Sequence, residues 1–129
     1  MIVLDASVLI AHFDARDAQH DRALKALTST GSEELGASVV TLAECLVGPA
    51  RAERLDQAHA ALSDLGVSEL GLPSDSSTAL AALRAQTNLR LPDCCVLLCA
   101  QRQRASLLTF DDQLAKRARS VGVRPVAAG

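Results

Sequence analysis

The sequence predicts an α/β domain with a parallel sheet covered by helices on both faces. Short, almost wholly apolar runs recur along the chain and are separated by stretches with helical character. Those runs do not alternate apolar and polar residues, and uniformly apolar runs suit strands buried on both faces. The 129 residues, 49% of them apolar, suffice for one domain (1–129) that buries most of its unfolded surface.

The elements follow in order. Residues 2–4 read as a short buried strand, and Ser7 to Phe13 as a helix broken by the polar stretch Asp14 to Gln19. Asp21 to Leu27 reads as a helix, with Ala23, Leu24 and Leu27 on one side and charges on the other. Gly31 to Glu34 is a loop. Leu35 to Val40 is a second strand, and Thr41 is a candidate cap for the helix after it, which Gly48-Pro49 should interrupt. Ala52 to Leu65 is amphipathic, with Leu55, Ala58, Leu62 and Leu65 at helical spacing. Val67 to Leu70 is a third strand, and Pro73 precedes a helix with Leu80 and Leu83 inward. Asp93 to Arg104 is apolar nearly all round until its end, so it should be a central, covered helix. Ser106 to Thr109 is a fourth strand, Asp112 to Ser120 a helix, and Val123 to Val126 a candidate fifth strand.

Composition excludes several classes. The formal net charge of -2 gives the chain as a whole no strong attraction for polyanions. No run approaches transmembrane length, and the N-terminus lacks the basic leader and apolar core of a signal peptide, so a cytoplasmic protein is expected. The cysteines Cys45, Cys94, Cys95 and Cys99 form no C-x-x-C pair and read as buried free thiols. With Phe13 and Phe110 as the only large aromatics, the core must be Leu, Val, Ile and Ala.

Four acids are poorly explained by folding alone. Asp5 ends the first apolar run, and Glu44 lies inside the apolar stretch Thr41 to Val47, in the first turn of the expected helix. Asp93 opens the covered helix, and Asp111 follows the fourth strand. Sequence order puts them at the carboxyl ends of a parallel sheet, where such folds bind ligands. Two carboxylates about 4 Å apart repel by about 4 kcal/mol at an effective dielectric of 20, so convergence calls for protonation or a cation. Oxygen-only ligands select Mg²⁺ or Mn²⁺ over zinc. Each acid also has a plainer role open to it. Asp5 and Asp93 are candidate helix caps, Glu44 can lie on the surface, and Asp111 and Asp112 compete for a cap and for the crevice.

This constellation resembles the PIN domain, and its length and layout resemble the VapC toxins of bacterial toxin–antitoxin pairs. The matching segments are Ile2-Val3-Leu4-Asp5-Ala6-Ser7, Ser38 to Glu44, Leu91-Pro92-Asp93 and Leu108-Thr109-Phe110-Asp111. The resemblance implies a three-layer α/β/α sandwich with a central parallel sheet of four to five strands. It also implies a homodimer and metal-dependent endoribonuclease activity. By position, Asp5, Glu44, Asp93 and Asp111 match the acidic quartet, and Ser7 and Thr109 match the hydroxyls that orient it. A departure is the doubled Asp111-Asp112, of which Asp111 keeps the Thr-x-Asp spacing.

The expected chemistry is hydrolysis of RNA phosphodiesters by metal-activated water, with Asp5, Asp93 and Asp111 holding Mg²⁺ and Glu44 positioning the water or ligating a second ion. Ser7 and Thr109 would fix the carboxylates. Arg16, Arg84, Arg90, Arg102, Arg104, Arg117 and Arg119 are candidates to line the crevice and grip phosphate. Scarce aromatics favour recognition of a folded RNA by shape and backbone. A cognate antitoxin should bind across the crevice and offer it a cationic side chain. The rival readings are a PIN-like domain that only binds a partner, and a phospho-receiver domain. A receiver should carry paired acids after the first strand and a lysine near the last, and the single Asp5 and the placement of Lys25 and Lys116 do not fit.

Overall fold

The three residues of β1 (Ile2–Leu4) are all buried and stand at the centre of the sheet. β1 pairs in parallel with β2 (Leu35–Ser38) on one side and with β4 (Ser106–Leu108) on the other. β3 (Val67–Leu70) pairs with β2, giving the order β3-β2-β1-β4. The computed structural model describes residues 1–126, and its helices among those residues are α1 (Ala6–Phe13), α2 (His20–Ser29), α3 (Val39–Arg51), α4 (Leu55–Leu65), α5 (Ser76–Thr87), α6 (Leu91–Gln103) and α7 (Asp112–Ser120).

The pleat sends successive strand residues to opposite faces. Val3 and Leu107 accordingly join Leu83, Leu97 and Leu114 of α5, α6 and α7. Ile2, Leu4 and Leu108 join Leu9, Leu27, Leu42 and Leu62 of the first four helices. The result is an all-parallel sheet between two helical layers, the expected three-layer α/β/α sandwich. α6 is buried from Cys94 to Ala100, which is why its sequence is apolar all round.

Several expectations are corrected. The second strand stops at Ser38, because the Ser38 hydroxyl accepts from the Val40 amide at 3.2 Å and caps α3 there. Thr41 is therefore no cap but a buried residue inside α3. Glu44 falls in the second turn, not the first. Pro49 does not interrupt α3. It lies near the helix end, and the chain beyond still donates to the Gly48 and Pro49 carbonyls. The next helix starts at Leu55 rather than Ala52. The candidate fifth strand is a single parallel bridge, Pro125 to Leu107.

Candidate active site at the carboxyl ends of β1 and β4

The chain runs outward from β1 through β2 to β3, then returns to lay β4 on the other side of β1. Where strand order reverses in this way, the loops leaving two neighbouring strands part and open a crevice at their carboxyl ends. Asp5 leaves β1 at that point, and Thr109, Phe110 and Asp111 leave β4.

Asp5 is 5% exposed and N-caps α1. Its Oδ1 accepts from the Ser7 hydroxyl at 2.6 Å and the Val8 amide at 3.3 Å, and its Oδ2 accepts from the Thr109 hydroxyl at 2.6 Å. Each hydroxyl also accepts a backbone amide: Phe110 donates to Ser7 Oγ at 3.1 Å, and Asp111 to Thr109 Oγ1 at 3.0 Å. Those amides occupy the oxygens' lone pairs and leave the hydroxyl protons to point at Asp5. One network thus ties the β1–α1 loop to the β4–α7 loop, through residues more than a hundred apart in sequence.

Burial raises the Asp5 carboxyl above its ordinary 3.8, although the three donors oppose the rise, and the charge of Asp111 adds to it. Asp93 lies in the first turn of α6, half-buried, with Arg90 at the cap position. Its carboxyl is also raised, first by burial and then by Asp111, with Arg90 pulling it down. Asp111 N-caps α7 through Oδ1, which accepts from the Gln113 and Leu114 amides at 2.9 and 3.1 Å. Asp111, and not Asp112, is therefore the acid whose field reaches both Asp5 and Asp93.

Glu44 is exposed on α3. Its charge is felt at Cys45 and Cys95, and Asp5 also acts on Cys45, whose thiol is pushed up to about 11 by burial and then by these two acids. Glu44 therefore stands at the rim rather than inside the network. Among the described residues, no three His, Cys, Asp or Glu side chains are placed to hold a metal ion between them.

The arginines do not line the crevice as a group. Arg90 acts on Asp93, an acid of the crevice. Arg16 pairs with Asp14 at 3.6 Å, and Arg84 donates to the Asn88 and Leu89 carbonyls. Arg102 and Arg104 end α6, roughly 16 Å along the helix axis from Asp93, and Arg117 and Arg119 sit in the last turn of α7. The sequence reading missed Arg22, whose guanidinium lies 4.4 Å from the centre of the Phe110 ring. Phe110 next to an acid was the available signal, but its partner is 88 residues away and no local pattern names it.

A parallel α/β/α fold with acids gathered at its switch point defines the class. The chain matches the PIN domain family over residues 2–120 and belongs to that family. It is similar to a toxin–antitoxin complex from Klebsiella pneumoniae, at 26% identity and TM-score 0.75, over 89% of this chain and 90% of that one. Similar folds at lower identity include Mycobacterium tuberculosis VapC20, a sarcin–ricin loop cleaving toxin (17%, TM-score 0.76, 98% of each chain). Another is VapBC2 from Rickettsia felis bound to a DNA fragment from its promoter (16%, TM-score 0.70, 98% of each chain). A search of curated proteins found no match. Among the described residues, no helix is long and apolar enough to cross a membrane.

Proposed function

We propose that this protein is a Mg²⁺-dependent endoribonuclease, Mn²⁺ being the alternative ion, and the toxin of a toxin–antitoxin pair. The Asp5 carboxylate carries the reading. It is buried at the switch point, held by three donors and still raised in pKa, with Asp111 acting on it and on Asp93. A carboxylate so held, and so poorly stabilised as an anion, suits a site completed by an outside cation.

The donor set fits Mg²⁺. That ion is commonly bound through one or two carboxylates and keeps several waters, so it needs no enclosing protein cage. Asp5, Asp93 and Asp111 would hold one or two such ions, not all three directly but in part through coordinated water, with Glu44 at the rim to position water or a second ion. When bound, such an ion lowers the pKa of a coordinated water and polarises a phosphoryl oxygen. Ser7 and Thr109 keep the Asp5 oxygens from rotating. Asp111 commits Oδ1 to its cap and leaves Oδ2 for the crevice.

The substrate in this reading is a folded RNA gripped by its backbone, because two phenylalanines and no Trp or Tyr supply little base stacking. The active unit is a cytoplasmic homodimer with a cognate antitoxin that offers a cation to the crevice. Support for the antitoxin comes from the Klebsiella pneumoniae toxin–antitoxin complex. The test is cleavage of total RNA by the native chain, Asp5→Asn and Asp93→Asn, each with Mg²⁺ or EDTA. Cleavage by the native chain alone, abolished by EDTA, is expected. Equal activity in all three proteins would reject the mechanism, and intact RNA in every lane would favour a partner-binding domain without chemistry.

A further inference from the structure

The basic residues are unevenly distributed. Six of the thirteen lie after residue 100, against two of the fifteen acids. The fold collects four of those six along one route. α7 starts at the crevice with Asp111 and runs back to the opposite edge of the sheet, exposing Lys116 and Arg119 on the way. Arg119 and Arg124 line one concavity. Arg124 also lines a second, of about 390 Å³, together with Arg104. Arg124 precedes the Pro125–Leu107 bridge, level with Ser106 and hence with Ile2, at the amino edge of the sheet.

The one acid in the second concavity, Glu33, pairs with the Met1 amine at 3.4 Å, so it does not cancel the arginines. Among the described residues, none of these four cations forms an ion pair. Arg104 adds a separate observation. It ends α6 at φ 50°, in the left-handed region where glycine is favoured, yet the chain carries a long cation there.

We infer that Lys116, Arg119, Arg124 and Arg104 form a track that binds the phosphate backbone of RNA beyond the cleaved bond. Arg grips phosphate bidentately, and the track has no aromatic residue to read bases. The inference rests on the ribonuclease reading for its choice of RNA. The crevice lies at the carboxyl edge of the sheet and Arg124 and Arg104 at its amino edge, so an oligonucleotide of a few nucleotides in the crevice does not reach them.

The test measures binding of a long single-stranded RNA by fluorescence anisotropy in EDTA, across a salt series, for the native chain and for Arg104→Gly/Arg119→Gln/Arg124→Gln. Losing three phosphate contacts should lower the slope of log K against log salt by about 2. Mg²⁺-dependent cleavage of a tetranucleotide should be unchanged. Arg104→Gly alone relieves the left-handed backbone, so weaker binding with an equal or higher melting temperature supports the track and excludes misfolding. An unchanged slope overturns the track even if cleavage proceeds. A reduced slope in a chain that cleaves nothing keeps the track and rejects the nuclease. Equal losses with heparin and with an acidic polypeptide, but none with RNA, would assign the track to a protein partner and overturn the inference.

Discussion

Thr109→Val removes one hydroxyl from the centre of the acid network and keeps the side-chain shape. Thr109 is 7% exposed, and its hydroxyl donates to Asp5 Oδ2 at 2.6 Å. A hydrogen bond to a charged group contributes about 1.5–3 kcal/mol. The Asp111 amide that also loses its partner is only part-buried and recovers some of its loss from water. We expect a destabilisation of about 2 kcal/mol, or roughly 6–10 °C in Tm for a domain of this size. The pH dependence is sharper evidence than the size. Burial lifts the Asp5 carboxyl above its unfolded value near 3.8, so the folded chain keeps that proton to higher pH than the unfolded chain. Ionised Asp5 therefore weakens the fold above the raised value, and the penalty fades as pH falls toward 3.8. Without the Thr109 donor the carboxyl rises further, so the penalty at neutral pH grows. Urea denaturation in EDTA at pH 7.5, and again near pH 4.5, should show the variant's deficit shrinking at acid pH. A deficit under about 0.5 kcal/mol, or one equal at both pH values, would refute the network as described.

Two further outcomes follow. Leu97→Ala opens a void beneath the sheet at a fully buried position, and should cost about 2–5 kcal/mol by denaturant titration; a cost below 1 kcal/mol would show that α6 is not the central packed helix. Asp111→Asn keeps a side-chain oxygen to cap α7 but removes the charge acting on Asp5 and Asp93, so Tm in EDTA should hold or rise while Mg²⁺-dependent cleavage falls. Asp112→Asn should leave cleavage unchanged, and the opposite ranking of the two variants would reassign the crevice acid.

Much of this architecture is legible because burial writes itself into short strands. Val3 and Leu107 on one face and Leu4 and Leu108 on the other leave no room for polar alternation, and α6 is apolar for the same reason. The bounds of the last helix, Asp112 to Ser120, are legible in the sequence, although the choice of Asp111 over Asp112 as its cap is not. Helix interiors are less candid. Ala43 and Cys45 flank Glu44 in sequence, but neighbours on a helix point about 100° apart, so an apolar setting along the chain does not mean burial. The start of α3 turned on which hydroxyl would cap, and Ser38 and Thr41 look alike until the strand pairing fixes where β2 must stop. The arginines were the least legible. Their places depend on which end of α6 or α7 they occupy, and the stacking of Arg22 on Phe110 belongs to tertiary structure alone.

The network at Asp5 has an energetic direction of its own. Three donors, two of them hydroxyls whose protons have no other target, together offer several kcal/mol to the ionised carboxylate. The carboxyl nevertheless stays raised, because burial, with repulsion from Asp111 added, prevails over the three donors. Stability alone would be better served by a Ser at position 5, which can cap α1 without a charge. A buried carboxyl raised by its surroundings, rigidly held and within the field of Asp111, is what the proposed cation site calls for. The fold also protects the aim. Because Ser7 is fixed by the Phe110 amide and Thr109 by the Asp111 amide, the Asp5 oxygens cannot turn without breaking the join between the β1 and β4 loops. The proposed site and the fold therefore share one set of hydrogen bonds, and a substitution that frees the carboxylate to rotate should loosen the join between the β1 and β4 loops.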